Sequence, residues 1–458
     1  MTLIKSISGI RGTIGGMKGN AFTPNDIVKF VAAFACWLKK TDHTRRKVVI
    51  GRDARISGEI VSKIVSGTLQ SMGLDVVDLG LSTTPTVEIA VPAENALGGI
   101  ILTASHNPKD WNALKLLNHQ GEFVSAEEIQ IILKMADSGN YQYTEVDDLG
   151  TYTVDNEYFN YHIKAIAALQ LVDVRAIKSK NYRVVVDGVN STGGIAVPLL
   201  LKSLGIETVH LLNCEPDGKF AHNPEPLTEN LTELREMMLT GDYDLGIAVD
   251  PDVDRLVLMC ENGEPLNEEY TLVAVADYVL SHSKGNTVSN LSSTKALRDI
   301  TEAKGNQYFA SAVGEVNVIE KMKEVNAVIG GEGNGGVIYP ELHYGRDALV
   351  GIALLLSHMA NGNRTLFQLK ASYPQYFMFK HKVALSSDLS METIQEKVRR
   401  KYLNHNVITI DGIRVEIDDS SWVHLRKSNT EPIMRIYAEA CSYVKAKEIA
   451  FQVESLLV

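Results

Sequence analysis

Short β-branched apolar runs alternate with stretches of helical length along most of the chain, and each run ends in a cluster of Gly, Asp or Ser. Such runs are typical of buried strands, and their alternation with helices predicts α/β units. Two segments repeat one order of features, VVIGRDARISG from Val48 and VVVDGVNSTG from Val184. In each, an apolar strand leads into a polar loop, and Ser or Thr followed by Gly opens a helix.

The repeat extends beyond these two segments. A second strand follows a glycine turn at Gly73 in the first copy and at Gly205 in the second, and a third strand ends in an unusual polar loop. A looser third copy runs from Thr287 to Gly335. Because loops at the carboxyl ends of strands build ligand sites in open α/β sheets, three related units could bring their loops to one cleft. Three independent α/β domains with unrelated turns are the alternative.

The pattern changes from about residue 366. Strand-like runs at 377–383, 407–415, 422–425 and 434–440 surround a helix at 391–401, and a final helix closes the chain. This order predicts an α+β domain with antiparallel strands.

Composition narrows the class of protein. The 458 residues predict roughly three domains, and 45 Lys and Arg against 56 Asp and Glu give a net charge of −11. No long basic run interrupts the acid excess, so nucleic acid is not an expected partner. The four cysteines have no metal-ligand spacing, and no signal peptide or membrane-spanning segment is evident. We therefore expect a cytoplasmic protein without a membrane partner.

The loop TASHNP, from Thr103 to Pro108, follows an apolar strand. A hydroxyl at such a strand end, that of Ser105, would be exposed and could act as a nucleophile or carry a phosphoryl group. The alternative is a plain polar turn that Pro108 ends.

The loop DPDVDR places Asp250, Asp252 and Asp254 at alternate positions after another apolar run. Three carboxylates this close favour a bound cation, and oxygen ligands suit Mg²⁺. An EF-hand would need Gly at the position of Arg255, so that interpretation fails. A solvated acidic turn remains an alternative.

Two further loops offer ligand-binding groups. In GGEGNGG, Glu332 and Asn334 suit sugar hydroxyls, although a glycine-rich loop is often only a turn. The segment RKSNTEP from Arg426, with Arg435 beyond it, carries phosphate-binding groups, although a charged solvated turn fits equally. A glycine-rich turn presents Arg11, and Lys115 follows the serine loop.

In combination, TASHNP, DPDVDR, GEGNGG and RKSNTEP resemble, in this order, the α-D-phosphohexomutase superfamily of phosphoglucomutases, phosphomannomutases and phosphoglucosamine mutases. The sugar loop lacks the Ser-Gly-His ending of bacterial-type phosphoglucosamine mutases. SNT in the phosphate loop, VGEVNV from Val313 and YPELHYGRD from Tyr339 look more like the archaeal-type phosphoglucosamine mutase and phosphoglucomutase/phosphomannomutase branch.

The resemblance implies three related α/β/α domains and a C-terminal α+β domain around a central cleft. The domain boundaries that we predict are 1–151 with the serine loop, 152–253 with the metal loop, 254–365 with the sugar loop and 366–458 with the phosphate loop. The length then corresponds to three related units plus one.

The resemblance also implies roles for individual residues. Ser105 would be the phosphoserine, and a phosphoryl oxygen on it would join Asp250, Asp252 and Asp254 around one Mg²⁺ per chain. Arg11, His106, Lys115 and Arg255 would line the reacting centre, with Lys115 as general acid or base. The residues that would bind sugar hydroxyls are Glu332 and Asn334, and those that would bind the non-reacting phosphate are Arg426, Ser428, Asn429, Thr430 and Arg435.

The expected activity is a phosphohexomutase that interconverts hexose 6-phosphate and hexose 1-phosphate. The phosphoserine would donate its group to give a hexose 1,6-bisphosphate, which is both intermediate and activator and must turn end for end. Glucosamine phosphate is the expected substrate, with glucose or mannose phosphate as alternatives, and the enzyme would be a monomer or homodimer. Competing functions are a phosphatase with Asp250 as nucleophile and a non-catalytic phosphosugar-binding protein.

Overall fold

The computed structural model describes residues 2–384, 390–427 and 433–457. They form two compact units, which are described separately. The first unit comprises the chain up to Thr271 together with Asn334–Lys370, and the second comprises Leu272–Gly333 and the chain from Ala371 onwards.

The first unit begins with a seven-stranded sheet, sheet A, in the strand order β1-β2-β6-β5-β3-β4-β7. Strands β5, β3, β4 and β7 are parallel, whereas β1, β2 and β6 add an antiparallel edge. The elements are β1 (Ile4–Ser6), β2 (Gly9–Thr13), α1 (Pro24–Thr41), β3 (Lys47–Arg52), α2 (Gly58–Ser71), β4 (Asp75–Leu81), α3 (Thr84–Ala93), β5 (Gly98–Leu102), β6 (Trp111–Leu117), α4 (Ala126–Ser138) and β7 (Tyr152–Val154).

Sheet B follows in the same unit, in the order β11-β10-β8-β9, with β11 antiparallel to the three parallel strands. Its elements are α5 (Tyr158–Ala167), α6 (Val174–Ser179), β8 (Arg183–Asp187), α7 (Gly193–Ser203), β9 (Thr208–Leu212), α8 (Thr232–Thr240), β10 (Leu245–Val249) and β11 (Leu256–Cys260). The β10–β11 hairpin carries the acidic loop, which confirms that the loop is not an EF-hand, since a strand rather than a helix leaves it.

The second unit contains a parallel sheet, sheet C, with β12 between β13 and β14. Its elements are α9 (Glu268–His282), whose first turn lies in the first unit, β12 (Asn286–Asn290), α10 (Ala296–Ala303), β13 (Tyr308–Ser311), α11 (Glu315–Glu324) and β14 (Ala327–Glu332).

The predicted repeat is confirmed by strand order. In sheets A, B and C the first strand of each copy lies in the middle, with the second strand on one side and the third on the other: β5-β3-β4, β10-β8-β9 and β14-β12-β13. The looser third copy therefore folds like the other two. Its polar strand Asn286–Asn290 is nevertheless almost wholly buried, as in the apolar copies.

Residues 336–372 continue the chain with β15 (Gly336–Ile338), α12 (Ala348–Gly362) and α13 (Leu366–Ser372). Helix α12 packs on α5, α6 and α7 in the first unit and is buried around nearly its whole circumference. This packing explains its apolar sequence. Across the described ranges of the chain, no helix combines the length and the hydropathy that crossing a bilayer requires.

The C-terminal part of the second unit is an antiparallel sheet, sheet D, in the order β16-β20-β19-β18-β17, packed with helices. Its elements are β16 (Phe377–Ala384), α14 (Met391–Lys401), β17 (Asn406–Ile408), β18 (Ile413–Asp418), β19 (Ser421–Lys427), β20 (Ile433–Ala440) and α15 (Tyr443–Glu454).

The single strand expected over 407–415 is wrong. It is a hairpin of β17 and β18, because Gly412 adopts φ +68°, a left-handed conformation that reverses the chain after Asp411.

The hydrophobic core against sheet A should contribute most of the stability of the domain that contains this sheet. Ile100 on β5, the strand that leads into the serine loop, is fully buried in that core. Ile100→Ala should therefore lower the free energy of unfolding by about 2–5 kcal/mol, measured by urea unfolding followed by circular dichroism. Ile131→Ala on α4, where the side chain is 44% exposed, is the matched control and should change it by less than about 0.5 kcal/mol. Equal effects would contradict this assignment of the core.

Candidate active site

The serine loop leaves β5 with Ser105 in a left-handed conformation, at φ +49°. This conformation is uncommon for a residue other than Gly. The Ser105 N–H donates to Thr103 Oγ1 at 2.9 Å, and Ser105 Oγ donates to Asp250 Oδ2 at 2.7 Å. The hydroxyl is not exposed as predicted: the residue is 6% exposed, because the acidic loop of sheet B covers it.

The acidic loop is held by its own backbone and by sheet B. Asp250 Oδ1 accepts from the N–H groups of Asp254 and Arg255, both at 3.1 Å. The carbonyl of Pro251 accepts from Ser191 Oγ at 2.7 Å, and from the neighbouring threonine at the start of α7 at 2.9 Å. The loop is therefore rigidly connected to the first strand–helix junction of its own repeat.

The three aspartates of this loop are completely buried and close together: one carboxylate oxygen from each lies within 4.8 Å of the others. Burial, followed by the charges of Asp254 and Asp252, raises the pKa of Asp250 well above its ordinary value. Burial also acts to raise the pKa of Asp254, but Arg346, Lys115 and Arg255 outweigh it and hold that pKa below the ordinary value. The repulsion among the three carboxylates is therefore felt most at Asp250, whereas nearby cations stabilise the charge of Asp254.

Lys115 on β6 reaches this cluster from sheet A. Its Nζ lies 2.7 Å from Asp252 Oδ2 and 3.4 Å from Asp254 Oδ2. Burial acts to lower the pKa of Lys115, but the two carboxylates outweigh it and raise the pKa above its ordinary value. The amine is therefore protonated here and is not available as a base.

His106 and Arg11 lie beside Ser105. His106 Nδ1 is 3.3 Å from Ser105 Oγ, and Arg11 Nη1 donates to Asn107 Oδ1 at 3.5 Å. Burial, then the charges of Arg255 and Arg11, lowers the pKa of His106 well below its ordinary value, so the imidazole is neutral. Burial and Arg255 also lower the pKa of Arg11. Two guanidinium groups therefore share one side of the serine loop.

Sequence reasoning missed Arg346, whose Nη2 donates to Asp254 Oδ2 at 2.7 Å. The next residue, Asp347, caps α12 by accepting from two backbone N–H groups, and its other oxygen lies 2.9 Å from His162 Nε2 and 3.4 Å from His343 Nε2. These contacts fix the backbone next to Arg346. An Arg-Asp pair directly before the apolar helix was the available signal.

Thr84 and Arg55 were also missed. Thr84, at the start of α3, donates from Oγ1 to Asp252 Oδ2 at 2.5 Å and from its N–H to the Asp252 carbonyl at 2.9 Å. Arg55, in the loop after β3, binds the backbone of the serine loop. Thr84 precedes a proline at a helix start and Arg55 lies in the loop GRDAR, and neither local pattern predicts a partner that is distant in the sequence.

The predicted sugar and phosphate residues occupy other parts of the chain. Glu332 ends β14, where its Oε1 accepts from Asn290 Nδ2 at 2.8 Å and from the Gly314 N–H at 3.1 Å. Asn334 Oδ1 accepts from the Gly336 N–H at 3.1 Å, within the glycine-rich turn.

Arg426 and Arg435 lie opposite each other on β19 and β20, and Arg426 Nε is 3.2 Å from Asp411 Oδ2. Ser428, Asn429 and Thr430 lie outside the described residues. The structure thus brings together Ser105, the aspartates, Lys115, Arg255, His106 and Arg11, all in the first unit, whereas Glu332, Arg426 and Arg435 belong to the second.

The aspartate cluster fits a hard divalent cation. It offers only carboxylate oxygens, and the buried Oδ1 atoms of Asp252 and Asp254 have no hydrogen-bond partner among the residues that the structure describes. A buried carboxylate oxygen without a donor is costly, and Mg²⁺ prefers such oxygen ligands. The three aspartates are therefore able to hold a metal ion.

A repeated α/β architecture with a serine packed against an acidic loop that is able to hold a metal ion is typical of one class, the isomerases of the phosphohexomutase type. Family models of phosphoglucomutase/phosphomannomutase match alpha/beta/alpha domain I at residues 3–142, domain II at 159–263, domain III at 267–376 and the C-terminal domain at 384–456. The chain belongs to the phosphoglucomutase/phosphomannomutase family, which confirms the resemblance and the fold that it implied.

Similar proteins are named for more than one sugar. The phosphoglucomutase/phosphomannomutase of Thermococcus kodakarensis is 36% identical over 95% of this chain and 96% of its own length. The phosphoglucosamine/phosphogalactosamine mutase of Sulfurisphaera tokodaii is 33% identical over 94% of each chain. A solved phosphoglucomutase/phosphomannomutase family protein from Burkholderia thailandensis superposes with a TM-score of 0.84 at 25% identity, covering 98% of this chain and 96% of its own.

A cation that relieves repulsion among buried carboxylates should stabilise the fold. We expect millimolar Mg²⁺ to raise the unfolding temperature, because a ligand that binds only the folded state stabilises it by mass action. Asp252→Asn should weaken Mg²⁺ binding at least about tenfold in isothermal titration calorimetry and abolish most of the shift in scanning calorimetry. Asp242→Asn, at an exposed position in the loop between α8 and β10, is the control and should retain both responses. Unchanged Mg²⁺ affinity in Asp252→Asn would contradict the site.

Proposed function

We propose that this chain is an Mg²⁺-dependent phosphohexomutase that works through a phosphoserine at Ser105 and a hexose 1,6-bisphosphate, with glucosamine phosphate as its preferred substrate. The observation that carries the proposal is the 2.7 Å contact from Ser105 Oγ to Asp250 Oδ2. It sets the Ser105 hydroxyl directly against a cluster suited to a cation.

The reaction divides into two phosphoryl transfers. In the first, the bond between phosphorus and Ser105 Oγ breaks while a bond forms to the oxygen of the free C1 or C6 hydroxyl of the substrate. That hydroxyl gives up its proton, and Ser105 Oγ takes up one proton, so the serine hydroxyl is regenerated and no net proton is released. In the second, after the bisphosphate turns end for end, its other phosphoryl group returns to Ser105 Oγ. When bound at Asp250, Asp252 and Asp254, Mg²⁺ would offset the negative charge of the transferring group.

The side chains around Ser105 serve these transfers electrostatically. Arg11 and Arg255 are close enough for the charge of one to lower the pKa of the other, and they would attract the phosphoryl oxygens. The protonated Lys115, 2.7 Å from Asp252 Oδ2, would act as the general acid. Neutral His106, 3.3 Å from Ser105 Oγ, can hydrogen-bond that oxygen without adding charge.

The remaining predicted residues would hold the part of the substrate that does not react. Glu332 and Asn334 would bind sugar hydroxyls, and both orientations of the bisphosphate require such adaptable hydrogen-bonding groups. The residues proposed for the distal phosphate are Arg426, Ser428, Asn429, Thr430 and Arg435. Exclusion of water during turnover would protect the phosphoserine from hydrolysis.

A phosphatase with Asp250 as nucleophile is the enzymatic alternative, and the local geometry disfavours it. One oxygen of Asp250 accepts two backbone N–H groups, and the other accepts the hydroxyl of Ser105. Asp252, which would be the acid, has one oxygen bound by Lys115 and Thr84. Both oxygens of Asp250 are thus engaged by hydrogen-bond donors, which weakens this carboxylate as a nucleophile.

The role of Ser105 has a direct test. Ser105→Ala should lose nearly all mutase turnover and all phosphate detected on the protein by intact mass, while its circular dichroism spectrum is unchanged. Ser71→Ala, an exposed hydroxyl at the end of α2, is the control and should retain activity. Near-normal turnover in Ser105→Ala would refute the proposal, and phosphate release that Ser105→Ala leaves intact would favour the phosphatase.

The sugar preference is tested by comparing kcat/KM for glucosamine, glucose and mannose phosphates with Mg²⁺ and a catalytic amount of the matching bisphosphate. We expect the value for glucosamine phosphate to be at least about tenfold higher. Such a preference corresponds to about 1.4 kcal/mol, which a single hydrogen bond at C2 can supply. A higher value for glucose or mannose phosphate would reassign the substrate within the same mechanism.

A further inference from the structure

Arg55 is a completely buried arginine whose donors are directed at the backbone of the serine loop. Its Nη2 donates to the carbonyls of Ser105 and Asn107, the latter at 2.7 Å. Its Nη1 donates to the carbonyls of Pro108 at 2.6 Å and Trp111 at 3.1 Å. Four carbonyls that would otherwise need separate partners thus converge on one planar group.

The fifth donor and the charge of Arg55 are satisfied by Asp53, which lies on the same loop. Arg55 Nε donates to Asp53 Oδ2 at 2.9 Å, so all five N–H bonds of the guanidinium are used. The same carboxylate oxygen accepts from Thr103 Oγ1 at 2.6 Å, and that hydroxyl accepts the Ser105 N–H at 2.9 Å. Both backbone polar groups of Ser105 are therefore connected to the Asp53–Arg55 pair, the carbonyl directly and the N–H through Thr103.

The loop that carries this pair also contacts the support of the acidic loop. The N–H of Ala54 donates to Ser191 Oγ at 3.2 Å, and Ser191 Oγ donates to the Pro251 carbonyl at 2.7 Å. The ring of Phe220, in the loop between β9 and α8, also lies 5.1 Å from the Arg55 guanidinium. One short segment between β3 and α2 thus contacts the serine loop directly and the acidic loop through Ser191, and so fixes the position of one loop relative to the other.

We infer that Arg55 is a positioning residue for phosphoryl transfer: with Asp53, it holds Ser105 in its left-handed conformation and thereby directs Oγ at the acidic loop. This inference rests on the function proposed for Ser105. Lysine cannot replace Arg55, because an ammonium group has three donors around one point, whereas the carbonyls are arranged around a planar fork. In the contacts described, Arg55 touches neither Ser105 Oγ nor the three aspartates of the acidic loop.

The first test separates positioning from substrate binding. Arg55→Lys should lower kcat by about 100-fold, the size of effect expected from a displaced reacting atom, while KM changes less than about threefold. Phosphorylation of Ser105 by hexose 1,6-bisphosphate, followed by intact mass, should slow by a similar factor. Arg45→Lys is the matched control, since Arg45 binds a backbone carbonyl, that of Ala96, and a carboxylate, that of Asp42, in the same domain. It should behave like the wild type.

The second test uses chemical rescue. Arg55→Ala leaves a space shaped for a guanidinium, so guanidinium chloride at about 50 mM, well below denaturing concentrations, should restore kcat and Ser105 phosphorylation at least about tenfold. Equal concentrations of NaCl or urea should not. If Arg55→Ala does not fold, as judged by circular dichroism, the kcat and phosphorylation rate of Arg55→Lys decide the question.

The outcomes distinguish this inference from the proposed function. A wild-type protein whose Ser105 never becomes phosphorylated would overturn both. Phosphorylation of Arg55→Lys at the wild-type rate, in a preparation where the wild type is phosphorylated and Ser105→Ala is not, would overturn only the role of Arg55. A rise in KM at unchanged kcat would also overturn it, because that pattern indicates lost substrate binding instead of lost alignment.

Discussion

The burial of three carboxylates against one another is the constraint on which the rest of the first unit depends. Asp250, Asp252 and Asp254 are taken wholly out of water, where like charges repel most strongly. The neighbouring groups reduce this repulsion in different ways. Lys115 forms a close ion pair with Asp252 and Arg346 with Asp254, whereas Asp250 accepts hydrogen bonds and has a raised pKa. Because the buried Oδ1 atoms of Asp252 and Asp254 have no hydrogen-bond partner among the described residues, this loop is suited to bind a cation.

That constraint explains why elements far apart in sequence meet at this loop. Sheet A contributes Lys115 from the antiparallel strand β6, and the segment that leads into α12 contributes Arg346. The histidine pair around Asp347 then serves a local purpose, since it fixes the start of α12 and hence the backbone beside Arg346. The serine loop completes the enclosure, and the burial of Ser105 is a consequence of its contact with Asp250.

Sequence reasoning succeeded where the chain repeats itself or concentrates one kind of side chain. The three-fold repeat was readable because hydrophobic runs and glycine turns are local patterns, and the aspartates because alternate carboxylates after a strand are conspicuous. It failed where a residue binds a partner far away in the sequence: no local pattern shows that Arg55 binds backbone carbonyls of residues 105–111, or that Arg346 binds the carboxylate of Asp254. The β17–β18 hairpin was missed because the apolar residues on both sides of its Asp-Gly turn were taken together as one strand, although Asp-Gly is itself a hairpin signal.

The electrostatics of the first unit also refine how an acidic protein can receive an anionic sugar. Lys115 and Arg346 are cations of this site, but both are already engaged by carboxylates of the acidic loop. Arg255 also lies near carboxylates, 3.4 Å from Glu225 Oε1 and 3.9 Å from Asp250 Oδ2, but its charge in addition opposes that of Arg11 and lowers the pKa of Arg11. A doubly negative phosphoryl group between such a pair would relieve that repulsion. Under the proposed function, Arg11 and Arg255 would therefore attract the phosphoryl group, whereas Lys115, Arg346 and Arg255 stabilise the negative charge of Asp254 in the acidic loop.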